Sequence, residues 1–579
     1  MAEMRSELAE ALVSFRPAIV TVVALSFVLN ILVLGGSLYL MMVYDSVLPS
    51  HSIPTLAGLF AMVCLIYLFQ GVIELSRARI LAMVGEGLGR RLGDRVHQAM
   101  ADLALRSGRL VGDGLTPMRD LDQIRSFMTG GGPAALIDLP WVIFFLGFLA
   151  LLHVWLGITA LVGALVLTVL TIVTDRVGRN PTRRLSRVVA DRVHAASINV
   201  RHIELLTSLG MRSTMHDRWT TIDREYLEAQ DSLSSTASRL GTVSRLFRMI
   251  LQSTILTVGA FLVIRGQASG GVIFAASLLS GRALAPVDMA IANWRGFSAA
   301  RDGWKRIDQL LATIAPTPVR EVALCLPSQK LVVDGLALAP PGHSQPTLHS
   351  VHFQLAAGSA LGIIGPSGSG KTSLGRTLLG LWVPMRGRVM LDGATLDQWD
   401  SQRLGQAIGY LPQSVDLFEG SIAQNIARFS PAMDTAAVIA AAKDAGVHEM
   451  IVDMPQGYGT EVGRDGGLLS AGQRQRIGLA RALYGSPFLI VLDEPNSNMD
   501  NVGEQALHQA IANVRARGGI VIVITHRPSL LSGISHLLVL RDGKMEAFGE
   551  RDEILSQVAR AGDEKSRLLV KKSMLKDAA

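Results

Sequence analysis

The sequence predicts an α-helical membrane domain of six spans followed by an α/β domain built round a phosphate-binding loop. Three observations carry this reading. The apolar stretches long enough to cross a bilayer lie in the first half of the chain. Lysine is absent from residues 1–304 and first appears at Lys305. Beyond Ala315-Pro316-Thr317-Pro318 the pattern changes to short apolar strands alternating with helical segments. The composition agrees. The 579 residues exceed one ordinary domain. With 49% hydrophobic and 18% charged residues, and a mean hydropathy of +0.35, disorder and a fully soluble protein are excluded. Two cysteines, Cys64 and Cys325, cannot build a disulfide framework or a cysteine-rich metal site within one chain. The 13 histidines show no HExxH spacing.

Spans are expected at roughly 18–42, 55–75, 134–152, 156–175, 246–265 and 271–291, each near the about 20 apolar residues that a crossing needs. The first follows Glu3, Glu7, Glu10 and Arg16 and lacks a small-residue cleavage site, so it reads as a retained helix rather than a signal peptide. Arg282 and Asp288 interrupt the sixth. A buried soluble helix is the alternative there, and spanning is preferred once the insertion cost of charges is weighed.

Loop charge sets the orientation. Residues 77–133 carry nine arginines and 176–245 carry twelve, whereas 43–54 and 153–155 carry no Lys or Arg. The arginine-rich segments and both termini are therefore expected in the cytoplasm. The net charge of +7 reflects topology, with the lipid bilayer as partner and no call for nucleic acid. Segments this long are unusual as structureless loops. Amphipathic runs such as Gly89–Leu105 and Leu185–Leu209 read as helices that prolong the spans by about 40 Å. Turn signals stand at Gly112-Asp113-Gly114 and at Gly210. The division expected is 1–304 membrane domain, 305–328 linker, 329–562 nucleotide-binding domain and 563–579 charged tail.

In the second domain, Leu361-Gly362-Ile363-Ile364 reads as a buried strand running into Gly365-Pro366-Ser367-Gly368-Ser369-Gly370-Lys371-Thr372, with Ser373 opening a helix. This is a Walker A loop in strand–loop–helix context. Its glycines let backbone N–H groups face phosphate oxygens, aided by the helix N-terminus. Lys371 is placed to neutralise the outer phosphates and Thr372 to ligate Mg²⁺. The apolar strand Phe488–Leu492 delivers Asp493-Glu494, with Asp493 expected to hold Mg²⁺ and Glu494 to polarise the attacking water.

Leu469-Ser470-Ala471-Gly472-Gln473 resembles the signature of ABC-type ATPases, differing from their common Leu-Ser-Gly-Gly-Gln at Ala471. The order of the remaining elements resembles the same family. Gln413 matches the Q-loop, His526 the switch histidine, Ser497-Asn498-Met499-Asp500 the D-loop, and Tyr458–Gly463 the exporter X-loop. The resemblance implies a type I ABC exporter-like half-transporter that works as a homodimer. Ser470, Gly472 and Gln473 of one copy would then complete an ATP site on Gly365–Ser373 of the other. Glu494, His526 and Gln413 would be catalytic, with Gln413 also meeting Mg²⁺ beside Thr372 and Asp493. The turns near 112–118 and 210–217 would be coupling helices. Where the family carries an adenine-stacking aromatic, this chain has Pro340.

Met42–Ser50, Arg119–Phe127, Asp138-Leu139-Pro140-Trp141 and Asp493–Asn498 look like the ABC components of bacterial type I secretion systems, particularly the metalloprotease and lipase exporters. That resemblance implies a bacterial inner-membrane location and a secreted protein substrate with an uncleaved C-terminal signal. It also implies a periplasmic membrane-fusion adaptor and an outer-membrane channel as partners. With some 17 residues ahead of the first span, no N-terminal peptidase domain is expected. A lipid or drug exporter would share every nucleotide residue, and a non-hydrolysing scaffold is disfavoured by the intact catalytic set. Asp138, Asn30 and Gln252 are polar groups at membrane depth, open to either a pathway role or helix–helix hydrogen bonding.

Overall fold

A computed structural model describes residues 7–107, 114–315, 324–463, 466–497 and 499–557. For the most part they divide into two compact units near Pro316.

The first unit is helical: α1 Glu7–Val13, α2 Arg16–Met42, α3 Ile53–Ser107, α4 Thr116–Thr129, α5 Gly132–Asp138, α6 Trp141–Leu152, α7 Val154–Arg201, α8 Arg212–Ile264 and α9 Gly270–Thr313. Among the described residues, five helices (α2 with its short continuation to Ser50, α3, α7, α8 and α9) are long and apolar enough to cross a membrane. The pair α5 and α6, bent by 43°, makes a sixth when the two are counted as one span. The third span is thus broken rather than continuous, because Pro140 has no N–H to offer the helical ladder. Side chains such as Ile143 and Leu151, 76% and 82% exposed, show the apolar outer face that a bilayer solvates.

The arginine-rich segments are helices prolonging the spans. At about 1.5 Å per residue, the 55 residues of α3 extend for roughly 80 Å, far more than one crossing. Gly210, at φ 67°, turns the chain between α7 and α8. Of the other turn, Gly112 and Asp113 lie outside the described residues. Helix α9 continues past residue 304 to Thr313, because Ile307, Leu310 and Leu311 bury an apolar face with Leu88, Leu92 and Ile124.

The described residues of the second unit form a ten-stranded sheet: β1 Lys330–Leu338, β2 Leu348–Ala356, β3 Ala360–Ile364, β4 Arg386–Leu391, β5 Ala394–Thr395, β6 Ile408–Leu411, β7 Leu489–Asp493, β8 Ile520–Ile524, β9 His536–Arg541 and β10 Lys544–Glu550. Their spatial order is β5-β4-β1-β2-β10-β9-β3-β8-β7-β6. Strands β9, β3, β8, β7 and β6 are parallel neighbours. Strands β7 and β8 are buried at every residue, as strands covered on both faces must be, which explains their unbroken apolar sequences. The loops after β3, β6, β7 and β8 leave the same edge of this parallel block, where ligands bind in open α/β sheets.

Candidate nucleotide site

Strand β3 ends at Ile364, and helix α10 begins at Lys371 and runs to Leu378. The loop between needs glycine at its two ends. A Cβ on Gly365, at φ 155°, would come 2.1 Å from the Leu540 carbonyl oxygen. One on Gly370, at φ 95°, would come 2.7 Å from Leu348 Cδ2. The first-turn N–H groups of α10 have no partner within the helix and converge on the loop. Lys371 Nζ donates to the carbonyls of Gly365 (2.9 Å) and Pro366 (2.8 Å), so the cation folds over its own loop. Ser369 Oγ is buried in the loop without a hydrogen-bond partner among the described residues.

Asp493 closes β7 and is buried. Its Oδ1 lies 3.5 Å from Thr372 Oγ1, at the limit of a hydrogen bond. Burial raises its carboxyl above the usual carboxylate range, partly opposed by the Thr372 hydroxyl. A buried carboxylate beside a threonine hydroxyl is a hard-oxygen donor pair that suits Mg²⁺.

Three predicted residues meet one step further on. Glu494 Oε2 accepts a hydrogen bond of 2.9 Å from Gln413 Nε2, and Glu494 Oε1 lies 3.3 Å from His526 Nδ1. Gln413 and His526 each stand two residues beyond the end of β6 and β8, so parallel pairing on either side of β7 brings them together. The Glu494 N–H donates to the Ile524 carbonyl at 2.9 Å, which ties the carboxylate's base to β8.

The signature residues lie elsewhere in the unit. Ser470 caps helix α11, Ala471–Leu483, in a reciprocal box with Gln473. Gln473 Oε1 accepts from the Ser470 N–H at 2.8 Å, and Ser470 Oγ accepts from the Gln473 N–H at 3.3 Å. Gly472 sits in the first turn. Among the described residues, no hydrogen bond joins Ser470, Gly472 or Gln473 to the phosphate loop of the same chain. Asn498 lies outside the described residues, and Asp500 caps helix α12, Asn501–Ala516. Pro340 follows β1 in the turn towards β2.

Several connecting residues escaped the sequence reading. Buried Gln475 donates to the Pro495 carbonyl at 3.0 Å, linking α11 to the turn after Glu494. The Arg428 guanidinium donates to five carbonyls, those of Gly405, Ile408, Arg481, Ala482 and Tyr484. In the membrane unit, Asp138 accepts from Arg77 at 2.7 Å and from Asn30 at 3.2 Å, and Arg77 also reaches Ser26 at 3.0 Å. Asp138 and Asn30 therefore hold helices together, while Gln252 is exposed. A buried glutamine in a signature helix and an arginine one turn beyond a span were the available signals.

A membrane unit of this kind joined to this sheet and loop set defines an ABC transporter. The ABC transporter transmembrane region family matches residues 19–287, and the ABC transporter family matches residues 348–497. The fold is similar to that of a bacterial Atm1-family ABC exporter with ATP bound, at a TM-score of 0.82 and 22% identity over 96% of this chain and 98% of that one. The type I secretion system ATP-binding protein PrsD of Rhizobium meliloti (strain 1021) is 47% identical over 95% of this chain and 94% of its own length. The cyclolysin secretion/processing ATP-binding protein CyaB of Bordetella pertussis (strain Tohama I) is 29% identical over 94% of this chain and 77% of its own length. The chain belongs to the type I secretion ATP-binding proteins, a group of ABC transporters. It is a multi-pass membrane protein that binds ATP and couples its hydrolysis to export.

Proposed function

We propose that two copies of this chain form the motor of a type I secretion system in a bacterial inner membrane, with both termini and the ATPase domains in the cytoplasm. The 47% identity to a type I secretion protein over nearly the full chain supports the secretion reading. Its cargo is a protein with an uncleaved C-terminal signal, passed to a periplasmic membrane-fusion adaptor and an outer-membrane channel. Residues 1–313, with α9 carrying the domain past 304, form the membrane domain, 314–328 the linker, 329–562 the ATPase and 563–579 a charged tail.

The convergence of Gln413 and His526 on Glu494 carries the catalytic assignment. Glu494 accepts a proton from the attacking water. Gln413 orients that carboxylate, and His526 senses the terminal phosphate. Gly365–Ser373 cradle the phosphates, and the Lys371 ammonium moves from its loop carbonyls to phosphate oxygens. Thr372, Asp493 and Gln413 would hold Mg²⁺, which neutralises developing charge on the phosphates when bound. Ser470, Gly472 and Gln473 close the site across a homodimer, their helix N-terminus facing the terminal phosphate. The turns near 112–118 and 210–217 couple this closure to the membrane domain.

The test compares culture supernatants from cells with the parent chain, without the chain, and with Glu494→Gln, by protein mass spectrometry. Loss of one or a few proteins in both defective strains is expected. An unchanged protein profile overturns the secretion reading and leaves lipid or drug export in its place.

A further inference from the structure

Arginine in a span or just beyond its end ordinarily has a partner, and two of this unit's arginines do. Arg77 binds Asp138, and Arg248 of α8 pairs with Asp288 of α9. Arg282 of α9 differs. Its side chain is exposed, and among the described residues it takes part in no hydrogen bond or ion pair. It stands twelve residues from Gly270, where α9 begins, or about 18 Å along the helix. In a hydrocarbon core of about 30 Å that is near the middle. Gln252 stands twelve residues before Ile264, the end of α8, hence at the same depth, and it too is exposed.

Lipid is a poor surrounding for this guanidinium. Facing acyl chains at mid-bilayer is among the costliest placements for a charged side chain. Either membrane surface is about 12 Å or more away, beyond what a side chain of roughly 6 Å covers by snorkelling. A second copy offers no free acid at this level among the described residues. Asp138 and Asp288 are engaged as above. Asp45, at the outer end of span 1, accepts hydrogen bonds from Ser269 and the Gly271 N–H. Glu74 lies about 31 Å from the outer end of α3, towards the arginine-rich extension. A water-filled space between protomers, with a counter-charge from outside the dimer, would suit this guanidinium.

We propose that Arg282, one from each protomer, lines the polypeptide path at mid-membrane with Gln252 and engages acidic stretches of the chain in transit. This rests on the protein-export reading above. Two arginines in a wet path attract carboxylates weakly enough for the chain to move on, as charged rings in channels do.

The test uses the full transporter in secreting cells. A protein that the supernatant comparison finds lost in both defective strains is expressed with one internal acidic stretch intact or neutralised by Asp→Asn and Glu→Gln changes. Arg282→Glu is expected to slow the acidic cargo about tenfold while leaving the neutralised one within about twofold, and Arg282→Lys to retain both. Equal loss of both cargoes, or no loss of either, overturns the inference. If the parent secretes neither cargo, the export reading itself fails instead. A second variant covers the case in which Arg282→Glu does not assemble. Arg282→Cys is placed in a chain whose own thiols are removed by Cys64→Ser and Cys325→Ser. In that protein a membrane-impermeant thiol reagent is expected to modify position 282, and absence of modification in assembled transporter overturns the path assignment.

Discussion

At Glu494 the backbone lies in the left-handed region, φ 47°, a conformation that costs a side-chain-bearing residue of order 1 kcal/mol or more. The strand continuing from Asp493 would carry the carboxylate away; this turn instead aims it at Gln413 and His526. Glu494→Gln keeps the shape and an acceptor for Gln413 but loses the base. Phosphate release should fall by about 100-fold or more with ATP binding retained, and parent-like turnover would remove Glu494 from that role. Asp493 carries a different cost. Burial raises its carboxyl, so the charged form weakens the nucleotide-free fold as pH rises through that raised value. Asp493→Asn should therefore raise the Tm of the nucleotide-free protein at neutral pH, by about 2 °C, while abolishing hydrolysis. Both residues were legible because a strand ending in Asp-Glu is local. Arg428 was not, since its meaning lies in carbonyls contributed by Gly405, Ile408 and the C-terminal end of α11. Burial lowers its pKa, yet a helix C-terminus favours a cation there. Arg428→Ala leaves those carbonyls without their donor and should cost about 2–4 kcal/mol in thermal unfolding of the purified protein.

Among elements, the C-terminal end of span 1 shows what sequence similarity marks without explaining. The stretch Met42–Ser50 contains a π-helical turn, Val43–Val47, that directs Tyr44 and Asp45 towards α9. Tyr44 stacks on Phe274 with ring centroids 4.0 Å apart. Asp45 accepts 2.7 Å and 2.5 Å hydrogen bonds from the Gly271 N–H and Ser269 Oγ, capping the first turn of span 6. A Cβ on Gly271 would come 2.6 Å from both Asp45 Oδ2 and the Met41 carbonyl oxygen. Gly271→Ala should thus separate the two spans and reduce the yield of folded transporter more than Asp45→Asn, which retains one acceptor. Detergent thermal melts of the two variants compare them directly, and a harmless Gly271→Ala would show that the close approach does not matter. Five of the spans and the helical extensions were readable from apolar length and arginine runs. This junction was not, because the two partners stand 226 residues apart.

For the molecule as a whole, the order of the ATPase motifs was legible, whereas the proposed composite site needs a second copy of the chain. Ser470 closes a cap on its own helix, and no hydrogen bond among the described residues connects it with the phosphate loop of its chain. A homodimer with isologous symmetry would supply the missing half twice. Mixing two inactive variants tests this. In a mixed dimer of Lys371→Ala with Ser470→Arg, one composite site carries both defects and the other carries neither. Random pairing makes half of the dimers mixed, each with one sound site, so ATPase should return to about a quarter of the parent rate if a single site can turn over. Each variant alone should be inactive. If each site were built within one chain, every chain in the mixture would carry a defect and no activity would return. Co-purification through two different affinity tags isolates the mixed dimers, in which the expected rate rises to about half.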